Sequence, residues 1–333
     1  MRNQQKLAFS VLDLASRKDI DQGPAPALQR SLALAQHVDS LGFTRFWVAE
    51  HHNMDAIVSS ATAVLIGYLA AGTQRIRIGA GGVMLPNHSP LVIAEQFGTL
   101  EALYPGRIDL GLGRAPGTDP VTARALRKER SGSADDFPAD VTELQKLLGP
   151  RAVGQQVIAM PGVDSHVPIW LLGSSLFSAQ LAAEKGLPYS FASHFAPRMM
   201  MQAIELYRRY FKPSSVLDKP YVMLGIPFVA ADTDAQAEFL ATTTYQRILA
   251  LIRGQSMLMH PPVESMHGLW QPHEAQTVNE FLSMAMIGSA ATIAQKMQML
   301  LQYTQADELI FTCDLYEHAD RLRSFDILAG LQP

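Results

Sequence analysis

The sequence predicts an α/β fold, a (β/α)8 or TIM barrel, and three observations lead there. Short apolar runs alternate with helical patterns along almost all of the 333 residues, the rhythm of a parallel sheet with helices outside it. Several of those runs are apolar without a break, as strands buried on both faces must be. Polar residues and glycines gather at the C-terminal ends of the runs, where barrels of this kind carry their sites.

The elements follow in order. KLAFSVLDL (6–14) is a first strand. Leu28, Leu32, Ala35, Val38 and Leu41 then recur at helical spacing, and Gly42 stops the helix. RFWVAE (45–50) is the second strand, and SSATAVLIGYLAAG (59–72) a helix with serines available as caps. IRIGAGGVMLP (76–86) is the third strand. Ser89 and Pro90 open the next helix, which Leu91, Ala94, Phe97 and Leu100 continue. RIDLGLG (107–113) and PIWLLGS (168–174) are strands four and five, the latter followed by a helix to about Lys185 before Gly186. PYSFASHF (188–195) precedes a helix to about Phe211, YVMLGIPFVA (221–230) is the seventh strand, and ELIFTCD (308–314) the eighth, with a closing helix. Two excursions interrupt the rhythm. Residues 115–139 read as a long polar loop after strand four. Residues 254–283, with Pro261, Pro262 and Pro272, read as an insertion between strands seven and eight. No repeat or linker divides the chain, so one domain over 1–333 is expected.

Composition narrows the function classes. Hydrophobic residues make up 48% and charged residues 17%, below the usual ~25%, which fits a large core. A net charge of −4 argues against nucleic acid as the main partner. Cys313 is the only cysteine, which excludes an intrachain disulfide and a Cys₄ metal site. The stretch AVLIGYLAAG (63–72) is shorter than the ~20 residues a bilayer requires. A soluble, cytoplasmic protein with no membrane partner is expected.

The strand ends hold the candidate chemistry. Strand two ends in Glu50-His51-His52-Asn53, strand three in Gly81-Gly82, with His88 further on. Strand four ends in Gly113-Arg114, strand five in Gly173-Ser174-Ser175, strand six in Ser193-His194. Adjacent histidines on a strand point to opposite faces, so the pair lacks the HxH spacing of metal ligands and no metal is expected. The pair can move a proton or simply pack, and His88 reads as a turn residue. Gly79, Gly81 and Gly82 mark either a bulge or a flat ligand lying on bare backbone. Arg114 suits a surface ion pair or, with its planar fork, a phosphate or carbonyl. Ser174 and Ser175 open a helix, where they are caps or one side of a phosphate site. GLGRAPG (111–117) imitates a dinucleotide loop, but a turn follows it and not a helix. The methionines of SHFAPRMMMQ (193–202) suit core filling or an apolar pocket.

Three segments, WVAEHHN (47–53), IGAGGVMLPNHSPLVIAEQFGTLEALYPGRIDLGLGRAPG (78–117) and WLLGSSLFSAQLAAEKGLPYSFASHF (170–195), together resemble the bacterial luciferase-like flavin monooxygenases, in particular their non-luminescent members. That resemblance covers nearly the whole chain. It implies a homodimeric barrel with FMN at the C-terminal face. The FMN would arrive reduced, as a co-substrate made with NAD(P)H by a separate flavin reductase. Oxygenation of a small organic substrate by O₂ would run through a flavin C4a-hydroperoxide. His51 matches the catalytic histidine, with Glu50 or His52 to orient it, and Gly81-Gly82 match a non-prolyl cis peptide under the flavin ring. Arg114, Ser175 and Ser178 match flavin and phosphate contacts. Ser174 stands where luciferases carry a glutamate, and His194 completes the expected cofactor contacts. A second phosphate arginine is sought among Arg124, Arg127 and Arg130. Gly113 replaces the reactive cysteine of luciferases, so neither light emission nor their aldehyde substrate is expected. Two rivals stay open: hydride transfer with the deazaflavin F420, and a flavin-holding protein without turnover.

Overall fold

The computed structural model of the protein describes residues 7–115, 119–126, 136–193 and 197–332. Its strands are β1 (Ala8–Asp13), β2 (Arg45–Val48), β3 (Arg77–Met84), β4 (Ile108–Gly113), β5 (Ile169–Gly173), β6 (Tyr189–Phe191), β7 (Val222–Ala230), β8 (Met286–Gly288) and β9 (Glu308–Thr312). The helices are α1 (Ala25–Ser40), α2 (Thr62–Ala71), α3 (Pro90–Leu103), α4 (Pro120–Leu126), α5 (Phe137–Leu148), α6 (Leu176–Lys185), α7 (Met200–Tyr210), α8 (Asp234–Ile252), α9 (Pro272–Phe281), α10 (Ala290–Thr304) and α11 (His318–Ala329).

All strand pairs are parallel. β1 to β6 run side by side, β9 joins β1 to β7, and β7 meets β6 to close an eight-stranded TIM barrel. β8 lies outside that count, pairing only with the end of β7 from Phe228 to Ala230. The eight strands expected from the sequence are therefore the eight of the barrel, the last of them being β9.

The differences have physical reasons. β6 is shorter than expected because Ser193 leaves the ladder and its hydroxyl donates to Gly225 O. α1 buries Ala27, Ser31, Leu34, Ala35 and Val38, a face rotated from the one read off its leucines; Leu28 and Leu32 are half-buried at its edge. The serines before α2 and α3 make no side-chain cap. The polar stretch 115–139 contains α4 and the start of α5, so it is not one loop. The insertion read at 254–283 lies between α8 and β8 and carries one helix, α9; β8 and α10 follow it before β9.

Alternate strand residues point into the barrel and form layers. At the N-terminal end Arg45 bridges Asp109 (2.8 Å) and Glu308 (3.0 Å), and Tyr221 donates to Glu308. Such a buried ionic floor is tolerable because its charges are paired and hydrogen-bonded. Above it lie Leu12, Trp47, Trp170, Met223 and Ile310 as a closed apolar layer. Trp47 and Trp170 meet edge to face, and the Trp47 ring N–H donates to Asp109. This filled layer leaves space only above it, at the C-terminal mouth. No helix among the described residues is long and apolar enough to cross a membrane.

Candidate active site

Two cavities open at the C-terminal mouth, and the Gly81–Gly82 peptide stands between them. That peptide is cis, the geometry the resemblance implies. The pair lies where the β3–β4 register shifts, between Ala80 and Val83. Neither glycine has room for a side chain. A Cβ on Gly82 would fall 2.7 Å from Gly111 O, and one on Gly81 would fall 2.8 Å from Leu12 Cδ1.

The first cavity, about 320 Å³, is lined by Trp47, Gly82, Gly113, Arg114, Ser174 and Ser175 among others; cofactor sites start at about 300 Å³. Its far wall is the start of α6. Ser175 is the N-cap and makes no side-chain cap bond, which leaves the first-turn N–H groups uncapped by it, as an anion site requires. Phe177 and Ser178 line the same wall. Ser178 donates to Ser175 O at 3.0 Å and meets the Tyr189 hydroxyl at 3.3 Å, which fixes the turn. The Arg114 guanidinium lies over the Phe177 ring, 4.2 Å from its centre, which steers a planar cation along the cavity wall. Bare glycine backbone at one end and an anion cradle with an arginine at the other fit a flat heterocycle carrying a phosphate. A Cβ on Gly113 would sit 2.9 Å from Met84 Sδ, so a cysteine there would displace Met84.

The second cavity, about 160 Å³, adjoins the first and shares Leu12, Gly81 and Met84 with it. Its walls are mainly apolar and come from the ends of β7 and β9, from α8, and from 281–287. His51 lines it. The residue is placed there because the chain leaves β2 at Val48 and bends, with the His51 N–H donating to Ser59 O and Asn53 in a left-handed turn.

Glu50 and His52 line neither cavity. The Glu50 carboxylate is buried beside β3 and accepts hydrogen bonds from His52 Nε2 (3.0 Å), His88 Nε2 (2.8 Å) and Met84 N (3.3 Å). Burial pushes its pKa up, but the His88 and His52 contacts outweigh that and hold it below the ordinary carboxylate range. The cluster ties the end of β2 to the strand that carries the cis peptide. The three side chains are also close enough together to surround a metal ion, although Glu50 already accepts hydrogen bonds from both imidazoles. His88, read as a turn residue, does follow a turn, and its ring reaches back to Glu50; only the tertiary fold shows this.

Of the remaining candidates, Ser174 lines the first cavity, and Arg124 lies on α4. His194, Arg127 and Arg130 lie outside the described residues. Sequence reading missed Phe177 as the partner of Arg114. It also missed Arg247 and Asp314, the charged residues of the second cavity.

The family model described as luciferase-like monooxygenase matches residues 7–308. A protein named luciferase-like monooxygenase from Escherichia coli (strain K12) is 51% identical over 323 residues, covering 96% of each chain. An N-acetyl-S-alkylcysteine monooxygenase from Bacillus subtilis (strain 168) is 44% identical over 192 residues, 56% of this chain and 57% of that one. Among solved structures, apo-MsnO8 superposes with a TM-score of 0.88 at 33% identity, covering 98% of both chains. More distant chains share the fold. The oxygenating constituent of a Pseudomonas putida 3,6-diketocamphane monooxygenase, solved with FMN, has a TM-score of 0.73 at 17% identity, over 98% of each chain. An F420-dependent secondary alcohol dehydrogenase has a TM-score of 0.68 at 14% identity, over 98% of this chain and 99% of that one. The chain belongs to the luciferase-like monooxygenase family.

Proposed function

We propose that the protein is an FMN-dependent monooxygenase that uses reduced flavin and O₂ to oxygenate a small organic substrate. The observation that carries this reading is the side-chain-free Gly81–Gly82 wall between two cavities, one lined by Arg114 and the start of α6, the other apolar and holding His51. Reduced FMN, when bound, supplies the electrons that activate O₂. Everything else falls to the chain. The start of α6, with Ser174, Ser175 and Ser178, takes the phosphate, and Arg114 on its Phe177 platform adds a cation. Gly81 and Gly82 let the flavin ring lie against backbone. His51, facing the second cavity, gives and takes the proton that oxygen transfer requires, since an imidazole titrates near working pH. Glu50, His52 and His88 act as a brace that positions the β2 and β3 ends. The apolar walls exclude water from the reacting centre.

The relative named for N-acetyl-S-alkylcysteines supports a small organic substrate. A separate NAD(P)H-dependent reductase delivering reduced FMN, a cytoplasmic location and a homodimer complete the reading. For the dimer, exposed Val64 and Tyr68 lie one turn apart on α2, and Val92 is exposed on the neighbouring α3. The test is substrate-dependent O₂ consumption with FMN, NADH and a purified flavin reductase, across a panel of thioethers and ketones. Uptake that rises with one class and needs all three components is expected. Uptake indifferent to every substrate would favour a flavin-holding protein.

A further inference from the structure

The second cavity is apolar except at a few points, and one of these is a charge pair. Asp314 lies two residues beyond β9, and Arg247 is on α8; both line the cavity. Arg247 Nη1 is 2.5 Å from Asp314 Oδ2. The two differ in access. The Arg247 side chain is 2% exposed and that of Asp314 23%, so the carboxylate is reachable and the guanidinium is sealed behind it. Arg247 Nε donates to Met257 O at 3.0 Å, but neither terminal nitrogen makes a hydrogen bond of good geometry; the contact with Asp314 is ionic and not a bidentate fork. Thr244, one turn before Arg247 on α8, donates to Asp314 O at 3.0 Å and pins the backbone from the same side.

We propose that Asp314, held from behind by Arg247, is the recognition point of the substrate cavity, and that the substrate is an apolar molecule bearing a hydrogen-bond donor: a hydroxyl, an amide N–H or an ammonium. This rests on the reading that the cavity beside the cis peptide takes the substrate. The pair presents its negative end to the cavity and its positive end to the protein. A purely apolar ligand would strip water from the carboxylate and return no hydrogen bond, which is unfavourable. An anionic ligand would meet a like charge in a medium of low dielectric. A donor satisfies the carboxylate while its apolar remainder covers the walls. Selection by a hydrogen bond that a site polar group would otherwise lose is far sharper than selection by a methylene.

The test uses the full chain and three probes of equal chain length, hexylamine, 1-hexanol and hexanoate, with binding measured by calorimetry at neutral pH. Hexylamine is expected to bind roughly tenfold or more tighter than hexanoate, with 1-hexanol between them. Asp314→Asn should remove that preference. A double variant, Arg247→Met with Asp314→Leu, replaces the pair by apolar groups, which a fold tolerates better than a stranded charge. It should bind 1-hexanol no better than hexane-like ligands and should not favour hexylamine. Hexanoate binding as tightly as hexylamine, an unchanged order in Asp314→Asn, or no binding of any probe overturns the proposal. FMN binding is followed separately by quenching of flavin fluorescence; its absence would sink the FMN reading and still leave the order of the three probes readable.

Discussion

His88 Nε2 lies 2.8 Å from Glu50 Oε1, joining the segment after β3 to the end of β2 across 38 positions of sequence. The same oxygen accepts from His52, and the other accepts from Met84 N. Glu50 therefore ties the end of β2 to the segment that follows the Gly81–Gly82 wall, and its chemistry bears on how firmly that segment is held.

Because its pKa is depressed in the folded state, Glu50 adds stability above the ordinary value of 4.5, and that stability is lost as pH falls through the lower folded value. Glu50→Gln is expected to destabilise the protein by about 1–3 kcal/mol at neutral pH, and the gap to the wild type should narrow below pH 4.5. Denaturant unfolding at several pH values measures this. A gap that stays constant with pH would show that the carboxylate's charge is not what matters.

His51→Ala should lower turnover by about 10²–10⁴, with FMN affinity nearly unchanged. The comparison is kcat against the FMN dissociation constant, once a substrate is in hand. Equal losses in both, or none in either, would remove His51 from the proton role.

Arg114→Ala should weaken FMN binding by roughly tenfold or more, the scale of a charge-assisted contact. Riboflavin, which lacks the phosphate, supplies the control. If Arg114 serves the phosphate, its loss should barely change riboflavin binding. If riboflavin suffers equally, the arginine serves the ring.

His318 offers a pH signature away from the site. Burial, with Arg321 and Arg30 nearby, pushes its pKa down to about 4, and neither ring nitrogen has a hydrogen-bond partner. The unfolded chain takes up this proton near pH 6.5, the folded one only near 4. Stability should therefore fall as pH drops from about 6.5 to 4, and His318→Leu should flatten that part of the profile. Equal slopes in both proteins would assign the effect elsewhere.

Much of this was legible in the sequence, for identifiable reasons. A parallel strand buried on both faces must be apolar throughout, so runs such as VMLGIPFVA announce themselves, and loops after strand ends announce the site. Glu50-His51-His52, Gly81-Gly82 and Gly113-Arg114 were found because they follow such runs. The short β8 carries no periodic signal, and α4 was hidden in a polar stretch. The ionic floor of Arg45, Asp109 and Glu308 depends on three strands far apart in sequence. The Arg247–Asp314 pair likewise joins a helix and a strand end 67 positions apart. Only the closed barrel brings these groups together, and no local pattern encodes them.

The most direct test of the central claim is anaerobic titration of the protein with reduced FMN, with reduced F420 in parallel, followed by rapid mixing with O₂ and absorbance recording. The account expects saturable binding of reduced FMN, much weaker binding of F420, and reoxidation of the bound flavin with a time course distinct from that of free reduced FMN. Binding of F420 alone, or bound FMN that oxidises as it does in buffer, would contradict it.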